Sequence, residues 1–468
     1  MNRRIFIERS MVLAAALTLQ FKNTFAGTAQ NVVKGKVMAK GNPVPNVQVT
    51  DGFSIVSTGK DGSYRLNPHE RAEFVYISIP SGFDFPHEKQ IANHYRKLDK
   101  DGNLDFMLTS LGKSDSKHSF ILWADPQVKN KKDVDQMLQQ SVPDTLKSIK
   151  NLGPDALVHG LAVGDLVWDN HDLFPMYNEA VAEMGIPFFQ GLGNHDMDYR
   201  LGDDSTSDQT FKKHYGPTYY SFNRGRAHYV MLDDVRYLGT ERDYDGFISE
   251  QQLAWLEKDL AFVKKDDLLI VSLHIPVYSH VKNNQDLYKI LKPFQNVHIL
   301  SGHTHINESN QTDNVYEHNH GAVCGAWWTG PVCEDGTPRG YGVYTVEGTE
   351  LKWQYKGIDL DKSKQMSLFV DSVSGSKKLT ANVWNWDPIW KVEYWLDGAY
   401  KGLLKNERGL DPLTVELYTG AQLPNPRPFV EPKETGHLFV AEFSAAVKQI
   451  RVIATDRFGA KFEEQITA

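Results

Sequence analysis

The sequence predicts a layered α/β core carried between two small all-β domains. Three observations support this. Between about 117 and 358, apolar runs of buried-strand type alternate with helical patterns. On either side, short period-2 runs sit between closely spaced turn residues. The 468 residues also exceed one ordinary domain, at about 150 residues each. The expected divisions are a leader over 1–27, a β-sandwich over 28–112, the α/β domain over 113–362 and a second β-sandwich over 363–468.

The leader reads as an export signal. Arg3-Arg4-Ile5-Phe6-Ile7 is a twin-arginine pattern, Met11 to Leu19 is a short apolar run, and Thr24-Phe25-Ala26 places small residues where a signal peptidase cuts. That run falls far short of the ~20 residues a transmembrane anchor needs. A periplasmic or secreted location is therefore expected, with the folded-protein route favoured over the general one. Cys324 and Cys333, the two cysteines, are nine apart. They fit either a short disulfide loop or two buried thiols.

In the first β-segment, Val32 to Val37 alternates, Gly41-Asn42-Pro43 turns the chain, Asn46 to Thr50 forms the next strand, and Gly59-Lys60-Asp61-Gly62 leads into another. In the core, strands are expected at Phe120 to Ala124, Ala156 to Val163, Phe188 to Leu192, Tyr229 to Leu232, Leu268 to Leu273 and Val297 to Leu300. Helices are expected over Asp133 to Leu152 and Ser249 to Val263. The second has Ser249 as N-cap, Gln252 three residues on, and Leu253, Leu256 and Leu260 on one face. Past about 365, Lys378 to Trp384, Lys391 to Trp395 and Gln449 to Asp456 read as strands, the last of them closing the chain.

The net charge is −8, with +3 in the first 27 residues and hence −11 in the rest. Such a chain is a poor sequence-independent nucleic-acid binder. A phosphate substrate stays compatible, because bound dications supply a local positive field.

Polar residues with metal-ligand chemistry stand directly after the apolar runs. These are Asp125 and Gln127, Gly164-Asp165, Gly193-Asn194-His195-Asp196, His274, and Gly302-His303-Thr304-His305. Strand carboxyl ends converge on one crevice in open sheets of this kind, so five elements aim Asp, Asn and His at one place. The ordered set resembles the motifs of the calcineurin-like metallophosphoesterases over roughly 240 residues. The flanking β-segments are similar to the N- and C-terminal modules of an exported bacterial branch, the first of them transthyretin-like or carboxypeptidase-regulatory-like.

The resemblance implies a four-layer α/β/β/α core and two divalent metal ions bridged by Asp165. One ion would take Asp125, Gln127 and His305, and the other Asn194, His274 and His303. Oxygen and imidazole donors suit Mn²⁺, Fe²⁺ or Zn²⁺. A shared water made acidic by both ions would attack phosphorus, and His195 would protonate the departing oxygen. Gln127 stands where many relatives have His. A similar Asp-x-Gln occurs in relatives that cleave diphosphates with Mn²⁺, which favours manganese and a diphosphate or diester. The carboxylate that orients the catalytic His usually lies three residues after the bridging Asp, but here that residue is Trp168. Asp169 takes the role through a bulge, or Asn170 replaces it. Trp168 also disfavours the iron-tyrosinate subtype. The expected substrate is a phosphorylated small molecule, nucleotide or lipid, and Trp327, Trp328 and Arg339 are candidate contacts beside Asn194, with core packing of the two Trp as the alternative reading. A non-catalytic glycan or partner binder with a weakened metal site is the competing class. Asp196 reads equally as a partner of the site or a loop cap, and Asp233 and Asp234 as a strand end. His318-x-His320 reads as a solvated loop, and His159, His228 and His298 as core or edge histidines.

Overall fold

Two β-sheets face one another across the centre of the protein. The computed structural model describes residues 32–98, 104–373 and 375–468, so the leader expected over 1–27 lies outside the described residues. One sheet has seven strands. Val158–Val163 lies at its middle, between Lys117–Trp123 and Phe188–Gly191, all three parallel. The other has six, in which Ala227–Met231, Leu268–Ser272, Asn296–Ser301 and Val315–Asn319 run parallel. These strands are buried on both faces, and that explains their unbroken apolar sequences. Facing aromatic rings lock the sheets together. Phe189 stacks on Phe222 at 3.9 Å, and Phe120 meets Tyr229 edge-on at 5.7 Å.

Helices follow the parallel strands, as right-handed crossovers require, and cover the outer faces in a four-layer α/β/β/α arrangement. The Glu250–Leu260 helix begins as expected, with the Ser249 side chain accepting from Gln252 N, and buries Leu253, Trp255, Leu256 and Leu260. The helical run after Lys117–Trp123 is interrupted. Lys131–Gln136 passes into a π-turn at Met137–Ser141 before Val142–Asn151 resumes. Pro143 has no N–H to give the ladder, so the turn widens ahead of it.

The N-terminal segment is built into this core. His87–Glu88 and Ile91–Ala92 extend the seven-stranded sheet, and Ser78 and Ile79 meet Ser221 and Phe222 of the six-stranded one. Phe85 plugs one end of the sheet pair, 5.0 Å from Phe189 and 5.1 Å from Phe222. The Arg224 guanidinium lies 3.8 Å over its ring. One apolar cluster consequently runs from Val37 to Ile358.

The C-terminal segment has its own core between two four-stranded sheets. It adds a helix, Pro412–Thr419, that the sequence pattern does not announce. Gln449–Thr455 is not the closing strand. Lys461–Thr467 pairs with it across the turn at Asp456, where the side chain accepts from Phe458 N and Ala460 N. Among the described residues no helix is long and apolar enough to cross a membrane.

Phe85→Ala is expected to cost about 3–5 kcal/mol in denaturant unfolding, because it empties the plug and strips the cover from Arg224. Met107→Ala, at a side chain 60% exposed in the same segment, should stay within about 0.5 kcal/mol. Equal effects of the two substitutions would show that the N-terminal segment folds apart from the core.

Candidate metal centre

The apolar strands end where the polar residues begin, so their last backbone turns decide where each side chain points. Asp125, Gln127, Asp165, Asp169, His303 and His305 all have φ between 44° and 68°. Non-glycine residues in this left-handed region cost of order 1–3 kcal/mol each and are held there only by their surroundings. The holding contacts are specific. Gln127 N donates to Asp165 O at 2.8 Å, and His303 N donates to both Asp125 carboxylate oxygens at 3.0 and 3.1 Å.

Two glycines permit the close approach. A Cβ on Gly193 would sit 2.1 Å from Asp165 N and 2.3 Å from its carboxylate, and one on Gly302 would sit 2.4 Å from Asp125 Oδ2. Asp196 ties the same loops together as a cap. Its carboxylate accepts from Gly193 N at 2.9 Å and from Leu166 N and Val167 N at 3.1 Å. Burial, with Asp165 close by, pushes this carboxyl up to about 7. Asp234 lies beyond the strand end and is buried. It accepts from His274 N and Ile275 N and so fixes the backbone at His274.

Asp165 sits at the centre with 1% of its surface exposed. Its Oδ1 accepts from His195 N at 2.9 Å and lies 3.3 Å from His274 Nε2, and its Oδ2 accepts from Gln127 Nε2 at 2.8 Å. His274 Nδ1 faces Val163 O at 2.8 Å, which turns Nε2 towards Asn194 Oδ1 at 3.1 Å and His303 Nδ1 at 3.2 Å. Asp165, His274 and His303 together present ligand atoms within 4.8 Å of one another. On the other side, His305 Nε2 lies 3.5 Å from Asp125 Oδ1.

The donor set fits a pair of hard-to-borderline cations. Gln127 spends its NH₂ on Asp165 and leaves Oε1 buried with no hydrogen-bond partner, as is His305 Nδ1. A buried acceptor of this kind is expensive unless a cation or donor meets it. Burial opposes charge at His274, but Asp165 beside it carries the imidazole up to about 10. The Asp165 carboxyl is held below the usual range by His274 and His195 against the same burial. His303, buried next to the charged His274, is driven well down.

His195 is oriented by a further carboxylate. Its Nδ1 lies 2.8 Å from Asp169 Oδ1, and Arg242 grips the other carboxylate oxygen of Asp169. Asn170 instead donates to Lys129 O. Arg242 was not foreseen. It lies on the turn between Val235–Tyr237 and Tyr244–Gly246, and no motif marks it.

The aromatic candidates divide. Trp327 is half-buried, with its ring 4.5 Å from that of His305. Trp328 follows the packing alternative: it is buried and donates its indole N–H to Pro126 O at 2.8 Å, so it braces the Gln127 turn. Arg339 is half-buried, and burial pulls its guanidinium below the ordinary value. Both cysteines are buried free thiols.

His318 and His320 are not in a solvated loop. His318 belongs to the buried strand Val315–Asn319, and His320 follows it. His318 Nε2 meets His298 Nδ1 at 2.9 Å, and His320 Nε2 meets Tyr344 OH at 2.6 Å. The polar neighbours that suggested a loop are themselves satisfied, as Glu317 is by Tyr278 N and the Tyr288 hydroxyl. His159 and His228 are core histidines, the latter paired with Asp259.

Family models for calcineurin-like phosphoesterases match three consecutive stretches. The N-terminal model covers residues 31–111, the core model 118–307 and the C-terminal model 317–462. No curated protein matches the chain. Similar solved structures include a dimetal phosphatase from Danio rerio, 15% identical, covering 51% of this chain and 96% of that one, with a TM-score of 0.38. A purple acid phosphatase from yellow lupin (Lupinus luteus) is 12% identical, covering 77% and 68%, with a TM-score of 0.38. GAP50, the anchor in the inner membrane complex of Plasmodium, is 15% identical, covering 52% and 84%, with a TM-score of 0.36.

Asp196→Ala should destabilise the protein by about 3 kcal/mol, since it leaves three buried N–H groups without an acceptor. Asp196→Asn, which keeps one acceptor oxygen, should cost less than half as much. Thermal unfolding of the two variants measures this. Similar losses would mean that the loops are held by something other than this carboxylate.

Proposed function

The chain belongs to the calcineurin-like phosphoesterase family, the metal-dependent hydrolases of phosphoric esters, and from that premise we propose how this member works. Asp125, Gln127, Asp165 and His305 would hold one divalent ion, and Asp165, Asn194, His274 and His303 would hold a second. The observation that carries this is the placement of Asp165, whose two oxygens face the two halves of the donor set. When bound, the ions supply positive charge to the phosphoryl oxygens and acidify a water as nucleophile.

The protein's own contribution is positional and protonic. Asp169 fixes the His195 ring through Nδ1 and is itself fixed by Arg242. Burial works against a charged His195, yet Asp165 and Asp169 raise its pKa above the ordinary value. The ring therefore stays protonated further towards neutrality, the state needed to hand a proton from Nε2 to the departing oxygen. The aliphatic and aromatic strands beneath exclude water from the donors' far sides.

Within this reaction class we favour a Mn²⁺-dependent diphosphatase or phosphodiesterase, because the amide oxygen of Gln127 is a harder and weaker donor than imidazole. We place the protein outside the cytoplasm on the strength of Arg3-Arg4 and the short apolar run that follows.

His195→Ala should lower kcat about 10²–10⁴-fold on an aryl phosphate monoester or bis-aryl diester, with two metal equivalents still bound by elemental analysis. Unchanged turnover would remove His195 from the chemistry. Failure of the wild-type protein to hydrolyse any monoester, diester or diphosphate with Mn²⁺, Fe²⁺ or Zn²⁺ would favour a non-catalytic binder.

Metal binding should also depend on pH. A His274 imidazole with its pKa up to about 10 is protonated below that pH, and a metal ion must displace the proton. Affinity should therefore fall as pH is lowered. His305, whose imidazole Asp125 holds well above the ordinary value against burial, behaves alike, so near pH 7.5 loading both sites should release about two protons, read by calorimetry in two buffers of different ionisation enthalpy. Zero net release would place the ion elsewhere.

A further inference from the structure

Beside the metal centre, three aromatic rings from three parts of the chain meet. Trp168 lies 5.7 Å from the His195 ring, and Trp327 lies 4.5 Å from the His305 ring. Phe429, from the C-terminal segment, stands 5.9 Å from Trp168 and 5.3 Å from Trp327, at 87° and 66° to them. The three rings form a corner beside both His195 and the candidate metal ligand His305, with Trp168 6.1 Å from Trp327.

Phe429 is 52% exposed, yet it is firmly placed. Two residues earlier, the buried Arg427 guanidinium pairs with buried Asp133 at 2.6 Å and lies 5.1 Å over the Trp168 ring. One residue later, Val430 is fully buried with Ala326, Val332 and Tyr418. Holding an exposed phenyl between two buried anchors spends stability on a surface that water does not favour. Such a ring is pre-organised for a ligand. On its other side, Lys129 sets its ammonium 4.0 Å over Trp168. The Trp168 ring is thus held by cations, and Trp327 and Phe429 are left to meet a guest.

We propose that this corner is a subsite for a planar aromatic ring carried by the phosphoester substrate, as in a nucleobase or an aryl alcohol. The reading rests on the phosphoesterase function proposed above. A flat ring gains edge and face contacts with each wall whatever its substituents, and the exposed Lys129 beside them favours a ring that arrives with phosphate. The C-terminal segment thereby completes the substrate site of a centre whose metal ligands all lie between 125 and 305.

The test compares benzyl phosphate with cyclohexylmethyl phosphate, and adenosine 5′-monophosphate with ribose 5-phosphate, each as monoester and methyl diester. The first pair differs in ring aromaticity and the second in the nucleobase, while the alcohol that leaves is alike within each. The wild-type protein should show KM about tenfold lower for the aromatic members. Phe429→Leu and Trp327→Leu should each erase most of that ratio. Tryptophan fluorescence should be quenched by adenosine or benzyl alcohol, and less so in Trp327→Leu. Discrimination in only one pair identifies which kind of ring the corner takes.

Equal KM within both pairs, a preference for the cyclohexyl ester, or a ratio that survives both substitutions overturns the aromatic subsite while leaving phosphoester hydrolysis intact. Absence of turnover on every monoester, diester and diphosphate, including activated aryl esters, overturns the underlying reading and this one with it.

Discussion

The Asp165 carboxylate is the constraint on which the site depends. It is buried to 1% exposure, it contacts Gln127, His195 and His274 directly, and the backbone of Gly193 passes so close that no side chain fits there. A carboxylate at that depth is tolerable only with opposite charge around it. Asp165 correspondingly carries the neighbouring His274 imidazole up, against burial. The residues that position Asp165 are mostly not ligands. Asp196 knots its loop to the next one, and Asp234 sets the backbone of the histidine facing it. The precision of the centre comes from two buried carboxylates that never touch a ligand atom.

The two flanking segments act on opposite sides of this arrangement. The N-terminal one contributes to the core itself, with Phe85 inserted between the sheets and short strands extending one of them. The C-terminal one keeps its own core but is bolted to the loops of the metal centre. Asp335 accepts from Asn307 N and meets His437, while Lys433 pairs with Glu334 and donates to Thr304 O. These contacts reach the turn that follows His303 and His305. The N-terminal segment thus supports the site from the core below, and the C-terminal segment braces its loops from above.

Much of this was legible in the sequence, for a physical reason. Strands buried on both faces must be continuously apolar, and residues that bind metal cannot lie inside them, so the boundary between the two marks the crevice. Asp125, Asp165, Asn194, His274 and His303 all stand at such boundaries. The reasoning misled where polarity lay inside a strand. His318 and His320 looked solvated because Asn and Glu surround them, yet those groups find partners within the sheet and behind it. Phe429 and Arg242 carried no local signal at all. Each matters through a neighbour more than 70 residues away in sequence, and no spacing rule reaches that far.

Six residues of the centre sit in the left-handed backbone region, and this bears on why the flanks are so firmly attached. At about 1–3 kcal/mol each, that strain is comparable to the net stability of a typical domain, about 5–15 kcal/mol. The strain cannot be relieved locally, because the side chains would then leave the crevice. It is offset by the sheets below, whose aromatic interface extends through Phe85 into the N-terminal segment, and by the buried Arg427–Asp133 pair above. A phosphoesterase core stripped of either flank would keep every ligand residue in its sequence and still lose part of what holds those residues in place. The flanks are therefore components of the metal centre in the energetic sense, even though they supply none of its donors.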